Sequence, residues 1–342
     1  MVNTESQVQI DREGMFELIC SFWVCRAIHA AARLGLADSV AAQPMTAVEL
    51  ARSVQAHPPS LYRLLRALAS VGIFRSDEQG RFHPSPLSNA LRTDVPGSLA
   101  PFVLMELGES HHRAWGELEY SVRTGEPSFD RVVGTPIWQF FAENPAMDAL
   151  LGAAMTGMTE MTVPAVLTAY DFGRFGSIVD VGGGEGAFLS AILAAQPQAS
   201  GIVFDRPDVT EAACNRIERD GAAERCRYVG GDFFSHVPSG ADLYLLKWVL
   251  RDWGDERCVD ILRTCRKAMR SDSTVLIVDT VIPDGDIPAP GKLIDLDMMV
   301  LSGGAGRTAA GFDNILAAAG LFCSRIIPMQ SPDSLIEAVA IS

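Results

Sequence analysis

Residues 177–193 read SIVDVGGGEGAFLSAIL, and the fold turns on how that stretch is understood. Ser177–Val181 is short and mostly apolar, the composition of a strand buried on both sides. Glycines follow at 182, 183, 184 and 186, and a helix opens near Ala187. Glycine reaches positive φ at little steric cost and lets backbone approach a ligand closely. The turn amides and the helix N-terminus then offer donors to a polar cofactor.

Downstream the same rhythm continues. Strand-like runs fall at Gly201–Asp205, Tyr228–Gly230, Asp242–Val249, Thr274–Asp279 and Leu335–Ile341, with helical stretches such as Ala187–Ala195 and Asp255–Met269 between them. Alternating strand and helix predicts an α/β domain with a parallel sheet covered on both faces.

Upstream the chain is mainly helical. Met15 to Leu36 is interrupted by Glu17, Arg26, His29 and Arg33, so it reads as a long amphipathic helix and not as a membrane span. Thr46 with Glu49 makes a capping box that opens a short helix. A turn at HPPS follows, Ser60 is placed to cap a second helix, LYRLLRALASVG, and Ile73 to His83 alternates like a hairpin with a polar tip. Helix, turn, helix and wing predict a winged helix-turn-helix, a fold used either to bind DNA or to dimerise. Arg63 and Arg66 lie on its second helix, but no basic cluster flanks them.

Composition narrows the partners. The 342 residues carry a net charge of -14, which repels nucleic acid and anionic membrane and favours the dimerisation reading. The seven cysteines, at 20, 25, 214, 226, 258, 265 and 323, have neither CxxC nor zinc-site spacing, and no metal cluster stands out. Free thiols fit a cytoplasmic protein, as does the polar opening MVNTESQVQIDREG, which is no signal peptide.

The glycine turn alone admits two ligands. Gly182, Gly184 and Ala187 satisfy the loose dinucleotide fingerprint, with Asp205 in the ribose position. A methyl donor is favoured by Asp180, two residues before the first glycine, where a carboxylate would attract an ammonium. With Glu185 it would repel a pyrophosphate. GGDFF, at 230–234, adds Asp232 beside an aromatic face for an adenine amine. The methionine-rich run AMDALLGAAMTGMTEM is either core or the adaptable wall of a pocket.

VDVGGGEG, GIVFDRPDV, GGDFF, DLYLLKWVLRDWGDERCVDILRTCRKAM and GRTAAGFDNILAAAG together resemble the small-molecule O-methyltransferases that use S-adenosylmethionine (SAM), of the plant caffeate and flavonoid type and its bacterial antibiotic- and phenazine-pathway relatives. RLGLADSV, LYRLLRALASVGIF and HHRAW…VRTGEPSF are similar to that family's dimerisation and substrate-lid regions, so the likeness spans nearly the whole chain. It implies a winged-helix dimerisation domain over 1–96, a helical linker and lid over 97–170, and a Rossmann-like seven-stranded SAM domain over 171–342. Asp180, Gly182, Gly184, Asp205, Arg206, Asp232, Phe233, Lys247 and Trp253 are the candidate cofactor contacts. Trp115, Met155, Met158, Trp248, Met298 and Met299 are candidate acceptor contacts. The implied partners are a small molecule and a second copy of the chain, with S-adenosylhomocysteine (SAH) as product.

One departure bears on mechanism. Many members place a histidine base in KW(I/V)LHDW, whereas this chain reads KWVLRDW, and Arg251 cannot act as a general base. Asp279 stands where glutamate is common, and Gly306 where ERT supplies one. Three accounts remain open. Transfer relies on proximity alone, or His111 or His112 supplies the base, or SAM is bound without methyl transfer. Arg251 is read either as an anchor for a substrate carboxylate or phenolate, or as the partner of Asp252, Asp255 or Asp279. O-methylation of an aromatic metabolite leads, with N- or C-methylation of an aromatic acid or amino acid as the alternative.

Overall fold

The structure, a computed structural model, describes residues 11–341. The reading of residues 1–10 as a polar opening lies outside it. The described chain forms two compact units, one ending at Gly108 and one running from Glu109.

The first unit opens on helix Arg12–Arg33, where the Asp11 side chain caps by accepting from the Gly14 amide at 2.8 Å. Helix Leu36–Ala42 follows, then β1 (Met45–Thr46) and helix Ala47–Ser53. The capping box is formed in both directions: the Thr46 amide donates to Glu49 Oε2 at 2.7 Å, and the Glu49 amide to Thr46 Oγ1 at 3.3 Å. Helix Pro58–Ser70 leads to β2 (Phe74–Ser76) and β3 (Arg81–Pro84), and the three strands pair antiparallel in the order β1-β3-β2. Ser60 is not the cap expected of it. Pro58 already has the φ of a first helical turn, so the helix begins there with His57 as its N-cap, and the Ser60 hydroxyl meets His57 Nδ1 at 3.0 Å. Leu36, Val40, Leu50, Leu65, Leu68, Phe74 and Phe82 form the core.

On helix Arg12–Arg33, Met15, Phe16, Leu18, Ile19, Phe22 and Trp23 are each more than 50% exposed, at 58, 61, 69, 58, 52 and 60%. A continuous apolar face of that kind marks an interaction surface. By length and composition alone, this helix and Pro145–Ala169 are also apolar enough to cross a membrane.

The second unit starts with helices Glu109–Gly116, Leu118–Thr124, Ser128–Val133, Ile137–Glu143 and Pro145–Ala169. A sheet follows: β4 (Ser177–Val181), β5 (Ser200–Asp205), β6 (Cys226–Gly230), β7 (Leu243–Lys247), β8 (Thr274–Asp279), β9 (Leu321–Pro328) and β10 (Ser334–Ala340). Its order is β6-β5-β4-β7-β8-β10-β9. Strands β4 to β8 run parallel, whereas β10 is antiparallel to both β8 and β9. The parallel sheet expected from sequence is present over β4 to β8, and β9 and β10 make its far edge mixed, because a short connection between them reverses the chain. β9 has no counterpart among the runs read from sequence.

Alternation places Val179, Tyr244, Leu246, Val275 and Ile277 on one face, packed with Ile261, Leu262, Phe312 and Leu316. Ile178, Leu243, Leu245, Leu276 and Val278 line the other, against Val166, Leu189, Ile192 and Leu193. Connections diverge to either side of β4, so β4 and β7 meet at the topological switch point where open α/β sheets bind ligands.

Candidate active site

The glycine turn sits at that switch point. Gly182, Gly184 and Gly186 have φ of +70°, +54° and +82°, which a bulkier residue would reach only with strain. At Gly182 a β-carbon would also lie 2.6 Å from Val249, so the turn is closed to side chains. The Asp205 carboxylate holds the turn in shape, accepting from the Gly184 amide and from the Arg206 amide, each at 2.7 Å.

Asp180, 2% exposed, has a carboxylate oxygen with no hydrogen-bond partner. Burial pushes its pKa up, and Lys247 pulls it back. Burial lowers the Lys247 pKa in turn, and Asp180 opposes that shift. An orphaned buried acid beside a glycine turn fits the ammonium of an amino-acid moiety and does not fit a pyrophosphate.

An aromatic wall stands beside the turn. Phe233 and Phe234 meet Trp253 edge-on at 6.2 and 4.8 Å, and Trp138 stacks on Trp253 at 6.1 Å. Asp232 is exposed at its edge and accepts from the Phe234 amide at 2.9 Å. Helix Pro145–Ala169 is bound to the same region by Asp148–Arg206 at 2.7 Å, Thr156–Glu185 at 3.0 Å and Glu160–Arg216 at 2.9 Å. Arg206 Nη2 is held by Asp148, with Asp208 at 3.3 Å, which ties helix to strand end, while its Nη1 is buried without a hydrogen-bond partner. Met155 and Met158 are half-buried on that helix.

The other side of β7 is charged. Trp248 has φ +58°, a left-handed conformation rare for a bulky residue, with Lys247 Nζ 3.5 Å and Arg251 Cζ 5.2 Å from its ring centre. Arg251 Nε donates to Asp279 Oδ1 at 2.8 Å, and its Nη2 lies 3.3 Å from Asp333. Of the three ion-pair partners considered from sequence, Asp279 is thus the one that binds, Asp255 being taken by Arg307 at 2.9 Å. The Nε and Nη2 atoms of Arg251 are thus engaged by two carboxylates. Asp333, 82 residues away in sequence, gave no signal there.

Trp115 Nε1 donates to Asp297 Oδ1 at 2.8 Å, which joins helix Glu109–Gly116 to helix Pro290–Leu301 with its half-buried Met298 and Met299. The second of these helices also packs on the turn Leu250–Asp252. At Gly304 a β-carbon would fall 2.1 Å from the Arg251 carbonyl oxygen, and at Gly306 2.6 Å from Ile282, so this loop has room only for backbone. His111 is 1% exposed, packs edge-on to Phe129 at 5.9 Å, and is driven by burial to a pKa of about 4. It is packed as a core residue. His112 is exposed on the same helix. Among the described residues no cluster of His, Cys and carboxylates could hold a metal, and all seven cysteines are free.

A glycine turn, an orphaned acid and an aromatic wall at the carboxyl ends of parallel strands define the class as SAM-dependent methyltransferase. Within that class the chain belongs to the O-methyltransferase family: the O-methyltransferase domain matches residues 115–322 and the O-methyltransferase dimerisation domain residues 16–94. A phenazine O-methyltransferase of Lysobacter antibioticus is 42% identical over 324 residues, covering 95% of each chain. An 8-amino-8-demethylriboflavin N,N-dimethyltransferase of Streptomyces davaonensis is 34% identical over 338 residues, covering 98% of this chain and 97% of that one. The structure of an O-methyltransferase from neocarzinostatin biosynthesis, in complex with SAM and 2-hydroxy-5-methyl naphthoic acid, matches with TM-score 0.80 and 33% identity over 98% of this chain and 100% of that one.

Proposed function

We propose that this enzyme methylates the hydroxyl of a small aromatic secondary metabolite and works as a homodimer through its N-terminal unit. The donor half rests on one observation above all, the Asp180 Oδ2 oxygen, buried without a hydrogen-bond partner beside the glycine turn. In this reading Asp180 and Lys247 hold the polar end of SAM, Gly182 and Gly184 pass close beneath it, and Asp205 takes the ribose. Asp232, Phe233 and Trp253 take the adenine. When bound, SAM supplies a methyl group activated on a sulfonium.

Trp115, Trp248, Met298 and Met299 are the acceptor wall of this reading, with Met155 and Met158 from the roof helix. Flat, apolar and polarizable side chains of this kind suit a planar ring system. The relatives support it through their names, phenazine and naphthoic acid being planar aromatics. The test is incubation with SAM and a set of hydroxylated naphthalenes and phenazines, following SAH release. Stabilisation against heat by SAM and not by NAD is the expected companion result. Methylation of nitrogen is the second reading, supported by the riboflavin N,N-dimethyltransferase relative, and aminated analogues in the same assay separate the two.

A further inference from the structure

Among the described residues two carboxylates each keep a buried oxygen without a hydrogen-bond partner, and the donor reading uses only the first, Asp180. The second is Asp279, the last residue of β8, whose side chain is 4% exposed and whose Oδ2 is the unpartnered atom. Its Oδ1 is taken, by Arg251 Nε and by the Thr280 amide, each at 2.8 Å. A buried carboxylate oxygen without a donor is costly, and such an oxygen at a ligand-binding strand end calls for a donor that arrives with the ligand.

Sheet register keeps the two acids apart. Asp180 pairs with Leu245 across β4 and β7, and Leu245 with Leu276 across β7 and β8. Asp279 therefore lies two strands over and three residues further along, roughly 14 Å from Asp180 between backbones, too far for one ammonium to serve both. The Trp248 amide donates to the Val278 carbonyl at 3.0 Å, which places Asp279 next to a residue of the acceptor wall.

We propose that Asp279 Oδ2 accepts the hydrogen bond of the acceptor hydroxyl and then its proton, with Arg251 as the positioning residue that occupies Oδ1 and leaves Oδ2 for the substrate. The proposal rests on the methyl-transfer reading above. The acceptor oxygen forms its bond to the methyl carbon as the carbon–sulfur bond breaks, the electron pair remains on sulfur, and the hydroxyl proton passes to Oδ2. An oxygen that is being alkylated becomes a far stronger acid, so a carboxylate suffices to take that proton. The site then favours an acceptor that enters with its proton over one that enters as an anion, which Oδ2 repels.

The test has a binding arm and a rate arm. In calorimetry on wild type loaded with SAH, 1-naphthol is expected to bind about tenfold or more tightly than 1-methoxynaphthalene, which has no proton to donate. Asp279→Asn is expected to lose that preference while keeping SAM affinity. Its kcat on 1-naphthol should fall about a hundred- to ten-thousand-fold. Its rate on 4-nitro-1-naphthol, supplied already ionised, should be kept or raised, and Asp279→Glu should recover part of the loss on 1-naphthol. Equal affinity of wild type for the two naphthalenes overturns the contact without need of any variant. Equal losses on both naphthols, or a change within about threefold on 1-naphthol, overturn the proton transfer. Absence of SAM binding by wild type, or of any aromatic binding to its SAH complex, instead overturns the underlying reading.

Discussion

Arg251 carries a permanent charge into a place where its side chain is 11% exposed, and the two acids that meet it are 4% and 6% exposed. Removing one partner of such a buried group costs about 3–5 kcal/mol, because the remaining charges are left without compensation. Arg251→Ala is therefore expected to lower unfolding stability by that order in urea titrations, and Asp279→Asn in the same chain should restore part of it. Glu337 gives a pH prediction. Burial works against its charge, but Arg325, Tyr170, Ser324 and Arg174 together hold its pKa down at about 2. The folded carboxyl thus titrates below its ordinary value of 4.5, so its contribution is complete above that pH and fades as pH falls toward 2. Glu337→Gln should flatten the acid limb of the stability curve across that window. At this scale sequence was informative where chemistry is local. Asp180, Gly182 and Asp205 share one strand–turn unit and its neighbour. Asp333 and Trp138 were missed because their meaning comes from partners that chain folding alone brings near.

Elements were legible in proportion to their burial. β4, β8 and helix Ala187–Ala195 match the runs read from sequence to the residue, since strands covered on both sides are short, apolar and sharply bounded. β9 went unread because it is the sheet's edge: Arg325, Ser324 and exposed Phe322 interrupt any clean alternation. Capping is the clearest local success, and Thr46→Ala is expected to cost about 1 kcal/mol by losing the box at helix Ala47–Ser53. Helix Pro145–Ala169 is fastened by three polar links, one of them to Arg206, which follows Asp205. Asp148→Ala should weaken SAM binding in calorimetry by a factor on the order of 10, with the fold unchanged by circular dichroism.

For the whole molecule the informative surface is the outward face of helix Arg12–Arg33. Six large apolar side chains stand there in water, five of them within the span matched by the dimerisation domain. Paired Phe22→Asp and Trp23→Asp substitutions are expected to yield a monomer by light scattering, because each carboxylate would have to be buried unpaired in the contact.

Trp248 deserves its place in any attempt to make the protein hardier. Its left-handed backbone stores about 1–3 kcal/mol that only the surrounding packing sustains. Replacement by glycine or asparagine relaxes that strain, so a screen for heat tolerance should enrich such variants. The same variants strip away the indole lying against Lys247 and Arg251. Selection for robustness and selection for turnover should pull this single position in opposite directions, leaving a visible trade-off between survival on heating and work done.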